Sequence, residues 1–392
     1  MAAAAETRPD DHDVPLAKIA REWTRIGFTG FGGPPAHIAL LRELVVDREG
    51  WMDASSFQDA NAACGLLPGP ASTQLAIFCA WRLRGALGAL IGGLCFICPG
   101  LALITALSAV FLAQHPPLWV LGAAAGAGAG VPAVALLAAW RLVGPSRQRL
   151  GEERTSQVRW VLYGAVGAIT AALLGSFVVV ALLGCGFLEV LVRRTRSRPT
   201  GSHALVPMAL AHTVGAAGLG ALAWEALKVG ALSYGGGFVI IPLMQHDVVS
   251  TYHWMTGAQF LNAVALGQVT PGPVVLTICV VGYAVFGVGG ALFGALIAFA
   301  PSFLFVLFGA RKFDRIRGNT TVGSFLAGAG PAVIGAIAGS AIPLGLSLHR
   351  LWQVPLLAAV LVWLFLARRS VVSALLLAGT VGVILALVGV NV

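Results

Sequence analysis

The tripeptide Pro-Gly-Pro occurs twice inside apolar sequence, at Pro68-Gly69-Pro70 and at Pro271-Gly272-Pro273. Proline after glycine ends one helical segment and suits the first turn of the next, where its missing N–H is no loss. Each triplet therefore opens a new helix N-terminus at membrane depth, with free backbone N–H groups and a partial positive charge of about half a unit. Two further breaks are rich in glycine, Gly30-Phe31-Gly32-Gly33-Pro34-Pro35 and Tyr234-Gly235-Gly236-Gly237. The residues beside the breaks are polar but uncharged: Ser72, Thr73 and Gln74 after the first Pro-Gly-Pro, Gln268 and Thr270 before the second, and Thr277 after it. Such a set donates hydrogen bonds to an oxyanion. Four converging helix N-termini would add on the order of two positive charges, a match for a dianion that needs no buried cations. The carbonyls that end the preceding helical segments would repel the same anion unless they point elsewhere.

The breaks belong to a duplication. Sliding the sequence by 203 positions superimposes Gly32-Gly33 on Gly235-Gly236, Trp51-Met52 on Trp254-Met255, Phe57 on Phe260 and one Pro-Gly-Pro on the other, without a gap. Fifteen of the 44 positions from Gly27 to Pro70 are identical to their counterparts. Six of the fifteen identities fall on helix breakers, which lipid penalises. Broken helices at equivalent places in two halves are a pointer to a transporter's binding site. Arg25 and Lys228 are equivalent in the repeat, each five residues before an equivalent position of a glycine-rich break, and a symmetric pair of cations there could neutralise a bound dianion or simply snorkel from helix ends. Arg82, at the end of an apolar span, reads as an orientation charge or a gate. His37 reads as a proton carrier or as a satisfied histidine.

The elements that must hold these residues are apolar helices. With 58% hydrophobic residues, 10% charged residues and a mean hydropathy of +0.86, the composition is that of a polytopic membrane protein. The expected spans in the first half are 19–46 and 57–80, both broken, then 86–112, 118–143, 158–174 and 177–192. The second half repeats them at 224–249, 260–284, 288–309, 325–348, 352–367 and 371–388. Between the halves, 204–222 is long enough for one more crossing, which gives about thirteen. The expected organisation is a cytosolic tail over 1–18, an N-terminal repeat over 19–192, a basic loop and connector over 193–222, and a C-terminal repeat over 223–392. The fold class is an all-α polytopic membrane protein built from two inverted-topology repeats.

Lys and Arg collect in short cytoplasmic loops. In the first half they cluster at Arg82 and Arg84, at 141–159 and at 193–198, whereas in the second they cluster at 311–317 and at Arg368-Arg369. These are not equivalent loops of the repeat, so the halves are expected to lie oppositely in the membrane, with Met1 in the cytoplasm and Val392 in the periplasm. Re-entrant pairing of the two broken segments in each half would lower the count and leave the inversion intact. The formal charge of +9 is carried by these loops and contacts anionic lipid rather than nucleic acid. The six cysteines are scattered through apolar sequence, and Cys95 and Cys98 have no second ligand pair, so neither a disulfide framework nor a metal centre is expected. No nucleotide-binding loop, zinc-protease motif or hydrolase elbow occurs, so no enzyme activity and no cofactor is expected.

At FGGPPAHIALLRE, GLLPGPASTQLAI, SYGGGFVIIPLMQHDVV and ALGQVTPGPVVLT the chain resembles the chromate ion transporter family in its long, two-domain form. The resemblance implies export of chromate from the bacterial cytoplasm across the cell membrane, conferring resistance, with an ion gradient as driver and the break residues along the substrate path. The family frequently carries Asp where this chain has Asn262, so a protonatable role at that position is not expected here. Sulfate is a dianion of the same shape, so a sulfate transporter, and a passive anion channel, stand beside the leading reading. Lipid is an expected partner, and association as a homodimer is left open.

Overall fold

The computed structural model describes residues 14–65, 67, 69–148, 154–196, 218–233, 237–309 and 319–391. Among them every regular element is helical. The first half contains α1 (Leu16–Thr29), α2 (Pro34–Arg42) with a π-helical extension to Arg48, α3 (Ala54–Cys64), α4 (Ala71–Phe111), α5 (Leu118–Ala129), α6 (Val131–Gln148), α7 (Arg154–Leu173) and α8 (Val178–Arg196). The second half gives α9 (Leu219–Leu232), α10 (Ile240–His246) with a π-helical extension to Thr251, α11 (Gly257–Val269), α12 (Thr277–Gly309), α13 (Thr320–Leu346), α14 (Gln353–Phe365) and α15 (Val371–Leu387). The order of elements repeats. Local chemistry repeats with it: Asp53 caps α3 by accepting from Ser56 N, and the equivalent Thr256 caps α11 with a full capping box to Gln259.

The glycine break between α1 and α2 is the tip of a helical hairpin. Lys18 pairs with Glu49, Arg48 pairs with Glu22, and the Trp23 and Trp51 rings stack 6.5 Å apart, so the end of the second arm lies beside the start of the first. In the second half Lys228 and Asp247 join the equivalent arms. The next segment also returns. α4 reverses direction at Arg84 and Gly85, where a methyl on Gly88 would stand 2.2 Å from Ala80 O, and α12 reverses at Phe286 and Gly287, where Gly282 meets Gly290. The limb after the α4 reversal runs alongside α1, with Gly92 against Trp23 and Gly27 against Phe96. The limb before it therefore leads from mid-depth back to the end at which α1 starts.

Both broken segments of each half fold back on themselves, the geometry of the re-entrant alternative. Arms of about fourteen residues reach about 21 Å, short of a hydrocarbon core of about 30 Å. Two boundaries also move. Leu16 to Lys18 form the first turn of α1 instead of a tail, because Pro15 starts the helix and Glu49 holds Lys18. Leu219 to Leu222 belong to α9 instead of a connector. The remainder of the connector, at 204–217, and the basic loop at 311–317 lie outside the described residues.

The halves exchange helices. α13 of the second half packs on α7 and α8 of the first, and α5 of the first packs on α15 of the second. Small residues make these contacts: a methyl on Gly335 would stand 1.8 Å from Gly164 O, and methyls on Gly122 and Gly126 would stand 2.4 Å and 2.2 Å from Gly382 O and Ala378 O. Such close approach drives helix association in lipid, where the hydrophobic effect offers none. The pairing of 122 with 382 and of 126 with 378 makes α5 and α15 antiparallel. Large apolar side chains such as Leu173, Phe308, Leu346 and Leu366 remain on the outside, as a lipid-facing surface requires. The chain is an all-α membrane protein.

Candidate functional site

The two Pro-Gly-Pro units adopt one geometry. Gly69 has φ +114° and Gly272 φ +108°, a region that side chains with a Cβ avoid, and Pro70 and Pro273 then start the next helical turns without a side-chain cap. Each unit packs against the other half of the chain. A methyl on Gly69 would stand 3.2 Å from Gly230 O in α9 and 3.3 Å from Ser302 Oγ in α12, and one on Gly100 in α4 would stand 2.3 Å from Pro271 O. Gly272 N donates to Gly30 O at 3.2 Å. Gly33 and Gly237 both face Val274. The breaks of the two halves thus meet in one region. Gly32 and Gly33 keep positive φ at the first glycine break, whereas Pro68, Gly235 and Gly236 lie outside the described residues.

Buried polar atoms collect there without partners. Thr73 Oγ1, Ser233 Oγ, Gln268 Nε2, Thr270 Oγ1 and Ser302 Oγ are all buried and make no hydrogen bond. An unsatisfied buried group costs about 1–3 kcal/mol, so a cluster contributed by both halves is the candidate place for a polar ligand. The other predicted polar residues are engaged locally. Ser72 Oγ lies 3.3 Å from His37 Nδ1, and Thr277 Oγ1 donates to Val274 O at 2.8 Å. Ser72 and Gln74 are fully buried in the first turn of α4.

His37 is a strut. Its Nε2 lies 2.9 Å from Gly30 O, a pure acceptor, so Nε2 carries the hydrogen and Nδ1 accepts from Ser72. The ring meets Phe96 edge-on at 5.0 Å. Gly30 O thereby joins the glycine break of the first half, the first turn of α4 and the Pro-Gly-Pro of the second half. Both ring nitrogens of His37 are thus engaged.

The charged candidates separate. Arg25 is 59% exposed and weakly paired with Glu22 at 3.5 Å, whereas Lys228 is 8% exposed and held by Glu225 at 2.6 Å and by Asp247. The equivalent positions do not form a symmetric pair of cations, because the second hairpin supplies Asp247 where the first has Leu44. Arg82 stands eight residues beyond Gln74, about 12 Å further along the helix, beside the reversal of α4. Among the described residues, Arg141 is a cation that lines a cavity beside the breaks. α6 runs on past the expected end at Val143 to Gln148, so Arg141 lies two turns inside the helix instead of at its end. It lines a cavity of about 550 Å³ together with Gln58, Asn61, Ser146 and Gln268, beside Gly32, Pro34 and Ala71.

Sequence reasoning missed Ser302, Ser233, Asn61 and Arg141. Ser302 was within reach: Pro99-Gly100 and Pro301-Ser302 are equivalent at a shift of 202, one residue less than in the earlier repeat. Ser233 is the equivalent of Gly30. Nothing in the pattern set Asn61 or Arg141 apart.

The family model for the chromate transporter matches this chain twice, over residues 17–190 and 220–385. A "Probable chromate transport protein" of Synechococcus elongatus is 30% identical over 89% of this chain and 90% of its own length. A "Chromate transport protein" of Cupriavidus metallidurans is 28% identical over 93% and 91%, and one of Pseudomonas aeruginosa is 29% identical over 87% and 83%. No solved structure matches. The double match coincides with the two series of helices that meet at the breaks, and the chain belongs to the chromate transporter family.

Proposed function

We propose that this chain is a secondary transporter that exports chromate from the bacterial cytoplasm by alternating access and so confers resistance. The names of its relatives supply chromate. The observation that carries an oxyanion site is the set of unpartnered polar atoms, Thr73, Ser233, Gln268, Thr270 and Ser302, drawn from both halves to the Pro-Gly-Pro breaks. Neutral hydroxyl and amide donors and helix N-termini hold an anion without fixing it too tightly to leave. Gly32, Gly33, the two Pro-Gly-Pro units with Pro68 among them, Gly235 and Gly236 let backbone approach the ligand. Ser72, Gln74 and Thr277 complete the first turns around it. Arg141, in the cavity beside the first break, draws anions toward the site by long-range attraction.

Inverted halves suit alternating access. What supports inversion is the antiparallel packing of α5 on α15: if α5–α6, α7 and α8 alternate in direction, α8 runs with α5, and its equivalent α15 runs against it. The N-terminus then faces the cytoplasm, as the arginine distribution of the loops requires. The test is uptake of radiolabelled chromate by right-side-out and inverted membrane vesicles, with sulfate as competitor and an uncoupler as control. Saturable uptake into inverted vesicles alone is expected. Linear, non-saturating flux of equal size in both orientations would make the protein a passive channel, and stronger uptake of sulfate than of chromate would replace the substrate.

A further inference from the structure

Glu225, Lys228 and Asp247 form a charged cluster inside the protein that the anion site does not use. Glu225 is fully buried in α9, and its Oε1 accepts from Lys228 Nζ at 2.6 Å. Asp247, in the extension of α10, accepts from the same ammonium. The two carboxylates thus meet at one ammonium. Glu225 Oε2 is buried and has no partner.

Two carboxylates sharing one ammonium leave one negative charge on a cluster in which Glu225 is fully buried and Asp247 is partly exposed. An uncompensated buried charge is costly, and two carboxylates held at one ammonium do not both ionise readily. A single proton between them removes the net charge and supplies the missing hydrogen bond. The other groups facing the cluster do not do this. Trp224 lays its ring over Lys228 at 5.8 Å, Tyr252 stands nearby, and His246 precedes Asp247. The packed helices α11, α12 and α13 carry no charged residue. α8, which also touches α10, brings Glu189, and this carboxylate is bound by Arg159 and Arg193.

The cluster stands next to the proposed anion site. Gly230, two residues beyond Lys228 on α9, is the residue whose carbonyl meets Gly69, and Ser233 lies one turn further on. A dianion arriving there favours protonation of a nearby carboxylate, and by reciprocity a protonated cluster favours the anion. We propose that Glu225 and Asp247, bridged by Lys228, form a proton-binding site that takes up a proton when the anion binds, so that protonation of the cluster and occupancy of the anion site are linked. The inference rests on the oxyanion reading of the site. The equivalent cluster in the first half is open: Glu22 and Arg25 are there, but Leu44 replaces the second carboxylate. Proton binding is thus a property of the second half alone.

Two measurements on the purified full-length protein test this. A pH electrode follows the unbuffered protein as chromate is added at alkaline pH, where chromate is already the dianion. About one proton taken up per anion bound is expected for wild type, and none for Glu225→Gln, which is isosteric, or for Asp247→Asn. Chromate affinity should rise as pH falls in wild type and become independent of pH in Glu225→Gln. Binding without proton uptake in wild type, or equal uptake in both variants, would overturn the proposal. The second measurement needs no anion: infrared difference spectra between neutral and alkaline pH should show a protonated-carboxyl band that Glu225→Gln removes. If that band appears while chromate fails to bind, the oxyanion reading falls and the proton site stands; if the band is unchanged by both variants, the proton site falls.

Discussion

Replacing Gly69 by alanine and Gly272 by alanine perturbs equivalent positions with different neighbours. Both glycines have positive φ, so each substitution costs about 1–3 kcal/mol of backbone strain. The added methyl at Gly272 meets Leu276 Cδ1 at 3.2 Å, the flexible end of an apolar side chain, and Gly100 Cα at 3.7 Å. At Gly69 it meets polar atoms, with Gln74 Nε2 at 2.7 Å and Ser302 Oγ at 3.3 Å. Gln74 must swing away, and a hydrogen bond from its amide to a charged ligand is worth about 1.5–3 kcal/mol. That loss corresponds to roughly ten- to hundredfold in affinity. Gly69→Ala should therefore raise the half-saturating chromate concentration about tenfold or more, while Gly272→Ala should change it by less than about threefold. Both should lower thermal stability to a similar degree. The assay is the initial rate of chromate uptake into proteoliposomes against concentration, at matched incorporated protein. Equal loss of affinity in both variants, or normal affinity in Gly69→Ala, would refute the placement of Gln74 and Ser302 at the anion.

Arg141→Gln should slow uptake mainly at low chromate and flatten its dependence on ionic strength, whereas Arg25→Gln, outside the cavity lining, should leave both unchanged; the comparison is read from concentration and salt series in the same proteoliposomes. Gly335→Ala would place a methyl 1.8 Å from Gly164 O and force α13 off α7, costing about 3 kcal/mol at the upper end of overpacking penalties, visible as a lower unfolding temperature in detergent. The Ser55 and Ser56 hydroxyls and the Ser56 N–H hold the Asp53 carboxyl well below the usual carboxylate range. Its capping contribution is therefore whole above the unfolded-state value and is lost as pH falls through the folded one. The unfolding-temperature deficit of Asp53→Ala should be full at neutral pH and shrink in strong acid, whereas the deficit of Thr256→Ala at the equivalent cap should not change with pH.

The sequence determined the membrane class, the duplication and the location of the breaks. Each follows from short-range physics: lipid leaves backbone groups no other partner, so glycine and proline clusters inside apolar runs identify breaks wherever they occur. Capping at Asp53 and Thr256 and polar first turns at Ser72 and Thr277 are local in the same sense. Tertiary structure alone decided which segments return, which helices are exchanged and which charges face inward. The hairpin between α1 and α2 rests on pairs such as Lys18 with Glu49, thirty-one residues apart. The docking of α13 on α7 and α8 depends on the fit of glycine faces that look like any other small-residue run in the chain, which has 50 glycines. Arg25 and Lys228 make the point most directly: equivalent in sequence, one is exposed and the other is buried between two carboxylates, because Asp247 reaches Lys228 from a different helix. The pattern of a repeat fixes where backbone can bend, while the field around a side chain is the sum over neighbours that only the folded chain brings together.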